Sequence, residues 1–137
     1  LKASVVTANY HDTFITVAPD SAVTQANRDP RPGTVAARQL ELLLGSPYSL
    51  TSDELLFAVH AERNAIPARQ IDGERAQFAA KPKACLRASP LVKTHGWGLH
   101  HDTQGRVAAI ALEDPAYSRF AADPYLKVVA GMRSRRG

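Results

Sequence analysis

The stretch GWGLHHDTQGRVAAIAL, Gly96–Leu112, decides the fold. Two extended halves flank a Thr-Gln-Gly loop, and Gly105 supplies the positive φ that a tight hairpin connection demands. With Thr103, Gln104 and Gly105 as the loop, Asp102 opposes Arg106, His100 opposes Ala108 and Gly98 opposes Ile110 on one face. Trp97, Leu99, Val107, Ala109 and Ala111 fall on the other. That second face gathers the one Trp of the chain and several aliphatic groups, so it is the predicted core side, with His101 at its outer end.

Upstream of the hairpin, TFITVA (Thr13–Ala18) alternates and is rich in β-branched residues, which predicts a strand ended by Pro19. Asp20–Gly33 is a surface connection, long enough to suggest a role beyond connecting. Thr34 is the expected N-cap of a helix to about Leu44, stopped by Gly45, with Ala36, Leu40, Leu43 and Leu44 at helical spacing. Thr51–Glu54 reads TSDE, a capping box, and predicts a second helix ending near Pro67. A third is expected around Asp72–Ala80, and ACLRA (Ala84–Ala88) reads as a short strand before Pro90. Asp114-Pro115 opens a short helix, and YLKVVAGMRS (Tyr125–Ser134) alternates as a last strand. The expected architecture is one α+β domain over residues 1–137, three or four antiparallel strands with helices covering one face.

At 137 residues and 45% hydrophobic content the chain can bury a core without a metal or a disulfide. Its single cysteine, Cys85, excludes a disulfide within the chain and fits a reducing compartment, so a cytoplasmic location is the expectation. No apolar run approaches the ~20 residues of a membrane-spanning helix, and no membrane partner is expected. The net charge of +4 is uneven: Lys81, Lys83, Arg87, Lys93 and Arg106 face only Asp102 over residues 81–106, and Arg133, Arg135 and Arg136 follow in the tail. Converging, these charges attract anions; diverging, they only aid solubility.

The strings NYHDTFITVAPD, GSPYSLTSDELLF, ACLRASPLVKTHGWGLHH and AGMRSRR together resemble a small family of bacterial and fungal proteins built on a domain of unknown function. The likeness covers nearly the whole chain. It implies no activity, but it places Asn9, Tyr10, Thr13, Asp53, Arg87, Ser89, Lys93, Trp97, His100 and Arg133 in the shared pattern.

Read from their chemistry, Gly96 and Gly98 remove side chains from the face that carries His100, which leaves a slot with an imidazole in it, or room for a packed helix. Arg87 and Lys93 flank the rigid Ser89-Pro90 turn, and both residue types recognise phosphate or carboxylate. Cys85 beside Arg87 has the neighbours of a reactive thiolate, against the commoner role of a small buried group. His100 and His101 point to opposite sides of a strand, and no other pair has metal-ligand spacing, so no metal and no cofactor is expected. There is no P-loop, dinucleotide fingerprint or nucleophile elbow.

Three functions compete. The first is a binding module in which Arg87, Lys93, His100, Arg133 and Ser89 hold an anionic small molecule or a nucleic acid, with Trp97 or Tyr48 stacking on a base. The second is an acid–base enzyme with His100 oriented by Asp53 or Asp102 and Arg87 stabilising negative charge. The third is a structural or assembly protein that docks through its last strand or its proline-rich loop.

Overall fold

The computed structural model describes residues 7–134. Strand β1 (Thr13–Thr16) leads through the long connection to helix α1 (Val35–Gly45), then α2 (Ser52–Arg63), a 3-10 turn and α3 (Ile71–Ala80). A second 3-10 turn (Leu86–Ala88) and the single-turn α4 (Pro90–Lys93) precede the hairpin β2 (Trp97–His101) and β3 (Val107–Ala111). Helix α5 (Pro115–Ala121) and strand β4 (Lys127–Ala130) complete the order.

The local signals act as expected from their chemistry. Thr34 caps α1 by accepting from the Ala37 amide, and Thr51 and Glu54 form the reciprocal capping box of α2. Asp114 caps α5, with Pro115 in its first turn. The hairpin register is the one derived above, with His100 opposite Ala108, Gly98 opposite Ile110, and Gly105 at φ +80°.

The protein is α+β, but its four-stranded sheet, ordered β3-β2-β1-β4, is mixed: β1 and β2 are antiparallel, whereas β4 runs parallel to β1. The expectation of a wholly antiparallel sheet fails only at that outer strand. Because α5 intervenes after β3, the chain returns to the far side of β1 in the parallel sense. ACLRA is likewise no strand; hydrogen bonds from Ala88 to Cys85 and from Ser89 to Leu86 close it into a 3-10 turn that buries Leu86.

On one face of the sheet Ile15, Trp97, Leu99, Val107 and Ala111 pack with Leu40 and Leu43 of α1, Leu55 of α2 and Leu91 and Val92 of α4. Trp97 is 1% exposed and donates its indole N–H to the Asn27 carbonyl at 2.9 Å, so the long connection serves as a lid over the core. The other face is not bare. Helix α5 lays Tyr117 edge-on to Phe14 and stacks Phe120 on His100, with ring centroids 4.0 Å apart, so helices cover parts of both faces. Gly98 makes that approach possible, since a Cβ there would stand 2.5 Å from Phe14 Cζ and 2.8 Å from Tyr117 Cε2. No helix among the described residues is long and apolar enough to cross a membrane.

Gly98→Ala should therefore lower stability by about 1–3 kcal/mol through overpacking, read as the shift in urea midpoint. A midpoint at or above that of the parent would mean that α5 does not pack on β2 as described.

Candidate functional site

Residues 48–51, between α1 and α2, fold back on the outer edge of the hairpin. The Tyr48 amide donates to the Val107 carbonyl at 3.0 Å, and the Val107 amide donates to Leu50 at 2.9 Å. Tyr48 sits at φ +58°, a conformation that a bulky residue rarely adopts. This turn directs its hydroxyl to within 2.8 Å of His100 Nδ1, where the two are hydrogen bonded. Burial pushes the His100 pKa down, although the carboxylates of Asp102, Asp123 and Asp12 pull it up. The Tyr48 hydroxyl is raised, first by burial and then by the Asp102 charge.

Of the acid–base grouping of His100 with Asp53 or Asp102 and Arg87, the Asp102 charge acts on His100, but the hydrogen bond at His100 Nδ1 goes to Tyr48. Asp53 instead anchors the start of the described chain: its two carboxylate oxygens accept from the Ala8 amide and the Thr7 hydroxyl, each at 2.8 Å. Asn9 returns the contact by accepting from the Asp53 amide. Asp102 Oδ1 accepts from the amides of Gln104 and Arg106 and shapes the hairpin loop. Tyr48, which the sequence offered only as a base-stacking ring, is the hydrogen-bond partner of His100. Trp97 is buried, which removes it as a stacking surface.

Ser89 is also framework. Its hydroxyl is buried, donates to Gln39 Oε1 at 2.7 Å and caps α4 through the Leu91 amide, which leaves it no free face for a ligand.

The basic residues lie in separate places. Lys83 donates to the carbonyls of Phe78 and Lys81 at the end of α3, and Arg106 lies at the hairpin turn, bridged to Thr51. Arg87 lies against the end of β4, and Arg133 follows that strand in the chain. The Met132 amide donates to the Arg87 carbonyl at 2.8 Å, and Arg87 Nε donates to the Ala130 carbonyl at 2.7 Å. Val92, the neighbour of Lys93, lies against Gly131. Among the described residues none forms an ion pair with Arg87, Lys93 or Arg133. His100, in β2, pairs instead with Phe14 of β1, beneath Phe120. Arg135 and Arg136 lie outside the described residues.

Cys85 accepts a hydrogen bond from the Tyr10 hydroxyl at 3.0 Å. Burial and that contact push Tyr10 up to about 12, with Arg87 pulling the other way. Tyr10 also packs on His101, whose ring is fully buried and within 3.1 Å of the Ser52 hydroxyl. Among the described residues no set of three His, Cys, Asp or Glu side chains is placed to hold a metal ion. A separate open cavity of about 550 Å³ lies between the proline-rich loop and helices α1 and α2. Its charged lining is spent internally, because Arg38 forks onto Glu62 with two contacts of 2.6 Å and reaches Glu41 at 2.9 Å.

The chain belongs to a family of unknown function, DUF6157, whose model matches residues 5–137. No curated protein and no solved structure matches it.

Burial lowers the His101 pKa from 6.5 to about 4. A histidine depressed in the folded state binds fewer protons than it does unfolded, so its contribution is present above pH 6.5 and is lost as the pH falls toward 4. That loss amounts to about 3 kcal/mol for His101. Urea midpoints should therefore drop between pH 7 and pH 5, and the His101 ring nitrogens should keep their neutral NMR shifts at pH 5. A charged His101 ring at pH 5 in the folded protein would refute this.

Proposed function

We propose that this chain is a binding module for a phosphate- or carboxylate-bearing ligand, held by Arg87, Lys93 and Arg133 at the end of β4. The observation that carries this reading is the 2.8 Å hydrogen bond from the Met132 amide to the Arg87 carbonyl. It sets the backbone of half-buried Arg87 against Met132, whose neighbour Arg133 is exposed. Lys93 follows Val92, which packs on the same turn at Gly131. With no carboxylate of the described chain paired to them, the three cations keep their field for an incoming anion.

Each residue type suits a different part of the task. Arg87 spends Nε on the Ala130 carbonyl, which fixes its plane and leaves its terminal nitrogens as a preset fork for two oxygens of one anion. Lys93 and Arg133 add charge, the lysine as a mobile point charge and the arginine as a second fork. His100 and Ser89 are not part of this arrangement.

Calorimetric titration with pyrophosphate and with citrate at low salt is the direct test. Lys93→Ala and Arg133→Ala should each weaken the better of the two anions about tenfold, as expected for loss of one charge-assisted contact, and moderate salt should weaken it further. Equal affinity in the parent and the double variant would remove this reading.

A further inference from the structure

Of the large apolar side chains that stand exposed, Tyr125, Val128 and Met132 belong to one stretch of chain, β4 and its two flanks. Tyr125 is 90% exposed, Met132 41% and Val128 40%. A tyrosine so exposed, at the head of a strand, buries little of its ring within the protein. Val128 pairs with Phe14 and so shares the face that α5 covers, yet α5 stacks over Phe14 and His100 and does not close over β4. The same stretch carries Lys127, exposed on the opposite face of the strand, and runs into the cations Arg87, Lys93 and Arg133.

We infer that this exposed ribbon is a track for a single-stranded nucleic acid, with a base stacked on Tyr125 and the phosphates following Lys127 to Arg87 and Arg133. The inference rests on the anion-binding reading and specifies its ligand. Alternating contact of an aromatic ring with bases and of cations with backbone phosphates is how such strands are held without sequence preference. The acidic groups at the two ends of the ribbon are turned to the protein's own amides: Asp123 accepts from Tyr125 at 2.8 Å, and Asp20 accepts from Ser134 at 2.9 Å.

The geometry favours this occupant over a second copy of the chain. β4 is the outer strand of the sheet, and strand addition needs its outward amides and carbonyls. Arg87 occupies the Ala130 carbonyl and the Met132 amide, which shortens the ladder that another strand can join. Lys127 sits within the strand, and a charged lysine on an edge opposes pairing with a like edge.

The test is fluorescence anisotropy of a labelled oligouridylate against the full chain, with pyrophosphate binding measured in parallel. Oligouridylate should bind with a steep salt dependence, and Tyr125→Ala should weaken it about tenfold while leaving pyrophosphate unchanged. Tyr125→Trp should restore the oligouridylate affinity. If pyrophosphate binds but oligouridylate does not, or if Tyr125→Ala leaves oligouridylate unaffected, the track is wrong and the anion site stands. If neither ligand binds, both readings fall. Equal affinity for a duplex of the same length would rule out stacking on Tyr125. A concentration-dependent dimer that Val128→Arg abolishes would assign the ribbon to a second copy and overturn the inference.

Discussion

Two backbone hydrogen bonds at Val107 hold the rest of the structure in place. The outer edge of β3 begins at Val107, and residues 48–51 close it there by donating from Tyr48 to the Val107 carbonyl and accepting from the Val107 amide at Leu50. From that attachment Tyr48 reaches His100 on one face, while Ser52, at the start of α2, reaches His101 on the other. The helical half of the molecule is thereby fixed in register with the sheet. A buried histidine paired with a buried serine adds directionality that apolar packing lacks, at the cost of a second ring nitrogen, Nδ1, that finds no partner among the described residues.

Much of this was legible locally. The hairpin followed from period-two alternation and one glycine, and the helix starts followed from Thr34, Thr51 and Asp114, because caps and turns are written in a few adjacent residues. ACLRA misled because a short apolar run without β-branched residues carries no periodicity strong enough to separate a strand from a 3-10 turn. The direction of β4 was illegible for another reason: its alternation identifies a strand but says nothing of the neighbour it pairs with.

The site was harder still. Arg87 was singled out by charge and meets the turn after β4 through its backbone, whereas His100 pairs with Tyr48 and Ser89 is buried against Gln39. A strand alternates its side chains, so two residues before or after a turn have no reason to meet. Tyr48 as the partner of His100 depended on a left-handed backbone at a tyrosine, which no propensity anticipates. The pairing becomes visible only once the 48–51 segment is laid against β3.

The parallel pairing of β4 with β1 has a consequence for how the molecule comes to be. Thr13 pairs with Lys127 and Thr16 with Ala130, so β1 gains one of its two neighbours only once β4, the last strand in chain order, has been made. A nascent chain on the ribosome can form α1, α2 and the hairpin before β4, but it carries β1 with an open side until β4 emerges. Long-range closure of this kind slows folding and leaves Phe14 and Ile15 waiting in a half-built sheet. Loss of β4 would thus cost more than its own residues, because it would turn the interior strand β1 into a permanent edge.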